Sequence, residues 1–439
     1  MIADTADLDR FDAIVLGAGI SGLVATSVLF QQGVQNVLVI DEYAQSGGNH
    51  IDCKIGDYTF DVGSYIFQDD SPLLAHFPEL LPLYVTIDPS WGRLTPYGIV
   101  TDYPISIKDD LLLAGPVEWF RILSSVLFVR IVPRKIVNAK DFATFWIGGR
   151  LFNRSGLRHY MDRFYGLPAE EVDVKFAEKR MLWIKEHASL RNLVRKSISP
   201  AKPPANRQLA RPREGFAYLY RRAMQRLERQ GAKFLLGTKV DRVRREDGRF
   251  KIEVGERRIT GRRLVSTIPL ASIQTLCGIR PAEALRTVTL ISLFYSFSGA
   301  RGFKQSILYN FSSEGAWKRL TVHSDFYGRC SGREFFSVEV NADAVGCDVA
   351  EAERDFRQHV ARSGLFSGGL QLEGSYTLTN AYPIYTKNAD ERARKAIAGL
   401  RELGIESLGR QGGFDYQPTA RDSTLKAEAA LRSSYYGSQ

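Results

Sequence analysis

The first apolar run of the chain, residues 12–16 (Asp-Ala-Ile-Val-Leu), has the length and composition of a short buried strand. A glycine-rich turn follows at 17–22 (Gly-Ala-Gly-Ile-Ser-Gly), then an apolar stretch through Gln32 that is long enough for a helix. Residues 37–40 (Val-Leu-Val-Ile) supply a second strand, which closes on Asp41-Glu42. This order predicts a βαβ unit of about 30 residues. Further along, residues 76–209 read mainly as helices, with a Pro-rich break at 197–206. Arg213-Glu214-Gly215-Phe216 opens an amphipathic helix that ends near Gly231, and strands are predicted at 233–236, 239–244 and 250–254, with a turn at Asp247-Gly248. Residues 264–269 read as another strand, 285–345 alternate as an antiparallel sheet would, as in 335–340, and an alanine-rich helix starts near Ser423.

One segment, 111–132, is rich in Leu, Val, Ile and Phe but carries Pro116, Glu118, Arg121 and Arg130. It therefore lacks the uninterrupted span of about 20 apolar residues that crosses a bilayer. An amphipathic or buried helix is expected there, and peripheral membrane contact stays open.

Composition narrows the class. The chain has 439 residues, 44% apolar and 25% charged, which fits a folded globular protein with two or more cores. Lys and Arg outnumber Asp and Glu by 59 to 49. The basic residues are scattered and no nucleic-acid motif accompanies them. The balance suits an anionic small molecule, an acidic membrane face, or simply a solvated basic surface. Four cysteines (Cys53, Cys277, Cys330, Cys347) form neither a CxxC pair nor a zinc pattern, so no metal site is expected. Their scarcity, and a polar, acidic start without a cleavable signal, predict a reducing, cytoplasmic setting.

The glycine-rich turn carries the first chemistry. Gly17 permits the tight turn, Gly19 lets backbone approach a pyrophosphate, and Gly22 lets helix and strand pack closely. The helix N-terminus that includes Ser21 offers unpaired N–H groups and a positive dipole end to phosphates. Asp41, ending the second strand, is placed to accept hydrogen bonds from a ribose. Six residues past Asp41 comes Gly47-Gly48-Asn49, and 58–63 (Tyr-Thr-Phe-Asp-Val-Gly) leads into Ser64-Tyr65.

An acid followed by a GG loop and an FD-G element resembles the signature of the amine-oxidase/protoporphyrinogen-oxidase group of flavoproteins. That resemblance implies FAD as cofactor and an α/β fold: a Rossmann-like FAD-binding domain of the glutathione-reductase type, discontinuous in sequence, beside an α+β substrate part. The FAD domain would comprise 11–75, 210–275 and 375–430, with a helical substrate region at 76–209 and a substrate-side antiparallel sheet at 276–374. In that group the backbone near Val240 contacts the adenine.

Within the group, several segments look like UDP-galactopyranose mutase. They are Gly47-Gly48-Asn49, Tyr103-Pro104-Ile105, the helix end at Arg180, the strand 317–323 (Trp-Lys-Arg-Leu-Thr-Val-His), Ala381-Tyr382-Pro383-Ile384, and 409–416 (Gly-Arg-Gln-Gly-Gly-Phe-Asp-Tyr). The resemblance implies that Arg180 and Arg319 hold a substrate diphosphate and that Tyr382 lines the sugar-nucleotide pocket. Gly409 and Arg410 would lie by the flavin. For each arginine a surface or structural ion pair is the competing reading. This chain departs from the mutases at 63–68 (Gly-Ser-Tyr-Ile-Phe-Gln), where both flavin-side histidines are missing and Tyr65 stands in place of one. Chemistry is then assigned to the flavin, with no catalytic protein residue. Two functions follow: a mutase-like enzyme acting on an anionic nucleotide sugar, or a FAD-dependent oxidoreductase acting on another small molecule.

Overall fold

Strands from three separate stretches of chain assemble into one seven-stranded sheet. In the computed structural model, which describes residues 9–105, 110, 115–132, 135–181, 184, 206–281 and 285–436, its spatial order is Ala232–Leu235, Val37–Ile40, Asp9–Leu16, Arg257–Ser266, Arg249–Val254 and Arg242–Glu246. The first four run parallel and the last two are antiparallel. Ile405–Ser407 pairs the end of Arg257–Ser266. Val37–Ile40 is buried at all four positions, which is why it reads as an unbroken apolar run and not as an alternation. Ile20–Gln31, the helix after the glycine-rich turn, packs against the Ala420–Tyr436 helix. The Phe216–Arg229 helix buries Phe216, Leu219, Tyr220, Ala223 and Leu227, one helical stripe.

A second seven-stranded sheet runs in the order Phe366–Pro383, Thr287–Arg301, Glu334–Asn341, Trp317–Val322, Ile307–Asn310, Trp91–Leu94, Val100–Asp102. Neighbours are antiparallel except Ile307–Asn310 with Trp91–Leu94. The Leu157–Tyr165 helix packs on Trp317–Val322 and Glu334–Asn341, and Val349–Ser363 packs on Thr287–Arg301.

Three sequence expectations are amended. Residues 76–209 are not only helical: Trp91–Leu94 and Val100–Asp102 extend the second sheet, and Val85–Ile87 and Gln208–Ala210 join Phe67–Gln68 in a small one. Strands of three or four residues are too short to show a period. The strand expected from residue 239 begins at Arg242. The boundary at 375 falls inside Phe366–Pro383, a single strand of the second sheet that pairs Thr287–Arg301 from end to end. The break at 197–206 lies, except for Asn206, outside the described residues. Among the described residues no helix is long and apolar enough to cross a membrane.

Candidate active site

Two glycine loops meet backbone to backbone and make the floor of a cavity of about 190 Å³. Gly17 has φ +101°, and a Cβ there would stand 2.3 Å from Thr267 Oγ1. At Gly22 a Cβ would lie 1.9 Å from the Gly17 carbonyl oxygen, so the helix starts directly on the turn. At Gly48 (φ +62°) it would lie 2.9 Å from Gly19 Cα. Gly47 N donates to Ala18 O at 2.9 Å, which locks the second loop onto the first. Gly17, Gly19, Ser21, Asp41, Gly47, Gly48, Asn49 and Arg410 all line this cavity. The Ile20–Gln31 helix opens from Gly19 without a side-chain cap, leaving first-turn N–H groups for an anion. A side-chain-free floor, a helix N-terminus and a strand-end carboxylate fit the pyrophosphate and ribose of a dinucleotide.

Asp41 is buried and accepts from Ala18 N (2.5 Å) and Tyr43 N (2.9 Å). Burial pushes its carboxyl above the usual range, while the two backbone N–H groups pull the other way. Glu42 is exposed on the same rim. Gly409 (φ +86°) does not line the cavity, but a Cβ there would press on Ser21 Oγ at 2.8 Å, so it lets the Gly409–Gly412 turn approach the helix start. Val240 lies in the irregular segment before Arg242–Glu246 and is not among the residues lining the cavity.

A second cavity, of about 130 Å³, shares Asn49, His50 and Arg410 with the first. Tyr65, Tyr160, Phe164, Tyr309, Tyr382 and Tyr416 give it an aromatic wall. Its charged lining is Lys318, Arg319 and Arg410 against one carboxylate, Glu339. Arg319 Nε donates to Glu339 Oε1 at 2.6 Å, and Lys318 Nζ stands 3.0 Å from Glu339 Oε2. Neighbouring strand residues normally face opposite sides. Here a register irregularity between Trp317 and Arg319 brings Lys318 and Arg319 onto one carboxylate. Burial opposes charge on both partners; Arg319 and Lys318 nonetheless hold Glu339 below the usual range, and Glu339 holds Arg319 above its own. Arg319 Nη1 has no hydrogen-bond partner among the described residues.

The other walls are fastened by hydrogen bonds. Tyr382 OH donates to Phe164 O at 2.8 Å and its ring stacks on Phe164, with centroids 5.1 Å apart. Tyr65 OH donates to Asn49 O. Asn49 Nδ2 donates to Ala381 O at 3.0 Å, and Arg410 Nη2 to Gln417 O at 2.5 Å. His50 contacts Tyr220 OH, and burial, helped by Arg410, lowers its pKa to about 3.

The structure thus gathers Tyr65, Arg319, Tyr382 and Arg410 at one cavity. Arg180 ends the Val174–Arg180 helix, but its side chain lies outside the described residues. His50, Lys318, Glu339, Tyr160 and Tyr309 also line the cavity and carry weaker sequence signals. His50 directly follows the GG-Asn loop and could have been found from it. Tyr160 sits on the buried face of its helix, where its spacing looks like any core position.

A model of the NAD(P)-binding Rossmann-like domain matches residues 15–79, and a model of the flavin containing amine oxidoreductases matches 159–345. Fold, cradle and both matches fit the FAD-dependent amine-oxidase superfamily, and the cofactor is FAD. The crystal structure of reduced UDP-galactopyranose mutase is similar over 98% of this chain and 94% of its own, with TM-score 0.79 and 16% identity. A candidate protoporphyrinogen oxidase from Exiguobacterium sp. 255-15 is similar over 98% and 99%, with TM-score 0.74 and 15% identity. In sequence, UDP-galactopyranose mutase of Mycoplasma pneumoniae is 41% identical over 73 residues, 16% of this chain and 18% of that protein. Prolycopene isomerase 2 of an Oncidium hybrid cultivar is 42% identical over 60 residues, 14% of this chain and 10% of that protein. The sequence matches therefore span under a fifth of these curated relatives, whereas the likeness of fold extends over nearly whole chains.

Proposed function

We propose that this flavoenzyme acts on a nucleotide sugar held by its diphosphate, in the manner of UDP-galactopyranose mutase. The observation that carries the reading is the cluster Lys318, Arg319 and Arg410, with one carboxylate, in a cavity that shares Asn49, His50 and Arg410 with the dinucleotide cradle. When bound, FAD supplies electron transfer and, once reduced, a nucleophilic ring nitrogen. The protein's own part is binding and orientation. Glu339 fixes the Arg319 guanidinium through Nε and leaves Nη1 for a phosphate oxygen, so the donor is preorganised before ligand arrives. Lys318, under the Phe164 and Tyr382 rings, adds a second positive charge. The aromatic wall excludes water from the sugar. His50 stays neutral at physiological pH and is not asked to move a proton.

The test is to reduce the FAD-loaded protein with dithionite, offer a panel of UDP-sugars, and follow sugar-ring isomers by chromatography. Isomer formation by wild type, lost in Arg319→Ala at unchanged FAD content, supports the reading. A second reading, an oxidoreductase of the amine-oxidase type, is favoured by the family match over 159–345 and by six aromatic side chains on the cavity wall. Turnover of an uncharged or amine substrate with oxygen uptake, indifferent to UDP, would replace the first reading with the second.

A further inference from the structure

The helix Pro116–Ile131 is amphipathic with the unusual side outward. Its polar contacts face the protein. Glu118 takes a two-pronged ion pair from Arg150 (Nε–Oε1 2.5 Å, Nη2–Oε2 3.0 Å), and Ser125 Oγ accepts from Arg150 N at 3.1 Å. The backbone of Val126 lies so near Gly148 that a Cβ on that glycine would stand 3.0 Å from Val126 N. The helix is thus seated firmly on Ala139–Arg154. Its apolar residues point away. Val117, Phe120, Leu127 and Ile131 are 68%, 73%, 59% and 76% exposed, and Trp119, Leu123 and Phe128 add 43%, 39% and 57%. Only Ile122 is buried. Spacings of three, seven and four residues place the first four on one stripe. An exposed apolar surface of this kind marks an interaction site.

Charge selects the occupant. Arg121, 3.5 Å from Glu118 yet with its side chain 61% exposed, and Arg130 border the apolar stripe on opposite sides, and Lys135 is exposed just beyond the helix. The helix's one acid, Glu118, is 12% exposed and already paired. A second copy docking face to face by a two-fold axis would set arginine against arginine, with no free acid on the helix to meet them. An anionic lipid surface satisfies both halves: acyl chains take the apolar stripe, and the arginines extend to the headgroups.

We propose that the Pro116–Ile131 helix is a peripheral anchor that lies in the boundary layer of an anionic bilayer. The Ala139–Arg154 helix beneath it leads into Leu157–Tyr165, which carries Tyr160 and Phe164 of the cavity wall. The anchor is thus joined through two packed helices to the wall of that cavity.

The test is flotation of the FAD-loaded full chain with vesicles of phosphatidylcholine plus phosphatidylglycerol, and with phosphatidylcholine alone. Wild type should float with the anionic vesicles and much less with the neutral ones, and added salt should weaken the association. Phe120→Glu with Leu127→Glu, both at exposed positions, should weaken binding about tenfold or more while FAD content and circular dichroism stay unchanged. Brominated lipids should quench fluorescence in wild type and not in Trp119→Phe, a readout that does not depend on the charged variants. Wild type remaining unbound to either vesicle overturns the proposal. So does binding that survives the double substitution, or a concentration-dependent dimer abolished by it without vesicle binding.

Discussion

Gly19 and Gly48 approach each other so closely that any side chain at either position intrudes on the other loop: a Cβ on Gly19 would stand 3.3 Å from Gly48 Cα. Gly19→Val should therefore yield a protein without flavin absorbance after purification. A folded Gly19→Val protein with full FAD content would contradict the cradle. His50 gives the residue scale a pH dependence. Its folded pKa is about 3, against an ordinary value of 6.5, because burial and then Arg410 disfavour the imidazolium. Between those values the unfolded chain binds a proton that the folded one refuses, so stability falls as pH drops below 6.5. Between pH 6.5 and 5 this should cost about 2 kcal/mol. His50→Gln removes that term. Urea unfolding of both proteins at the two pH values, with FAD saturating, should show the difference; equal pH responses would mean that His50 titrates normally.

At the scale of elements, one buried ion pair fastens the Tyr58–Asp61 strand to the segment leading into the Phe216–Arg229 helix. Arg211 bonds Asp61, donates to Thr59 O at 2.7 Å, and lies 4.5 Å over the Tyr327 ring. Arg211→Met leaves a buried carboxylate unpaired and should destabilise by about 3–5 kcal/mol, with much of the loss recovered by adding Asp61→Leu. Chemical denaturation of the two variants reads this directly. Full tolerance of the single change would show the pair to be dispensable. The elements also show what the sequence could tell. The βαβ unit was legible because its apolar runs are long, its glycines are needed for close backbone approach, and Asp41 sits at a strand end. The arginine on Trp317–Val322 was legible by resemblance. Lys318 beside it was not, because a strand period assigns neighbours to opposite faces and only the local bulge brings both to Glu339. Trp91–Leu94 and Val100–Asp102 were missed because strands of 4 and 3 residues show no period, and the pairing that ties them to the sheet, with Ile307–Asn310, lies far away in sequence.

In the whole molecule, the end of Phe366–Pro383 holds the two cavities in register. Ala381 O accepts from Asn49 Nδ2 (3.0 Å) on the cradle loop and from Arg410 Nη1 (3.4 Å), while Gln411 Nε2 donates to Asn380 O (3.0 Å). The same strand carries Tyr382 into the second cavity. The end of one strand of the second sheet thus touches both cavities, and the cavity lined by Lys318, Arg319 and Arg410 shares Asn49, His50 and Arg410 with the cradle. The central claim is that this cavity binds a nucleotide diphosphate through Arg319. Calorimetric titration of UDP into the FAD-loaded protein tests it most directly. Wild type should bind with saturation, and Arg319→Ala should lose about 2–4 kcal/mol of binding free energy at unchanged FAD content, with Arg319→Lys recovering only part. No binding by wild type at millimolar UDP, or equal binding by wild type and Arg319→Ala, would contradict the account.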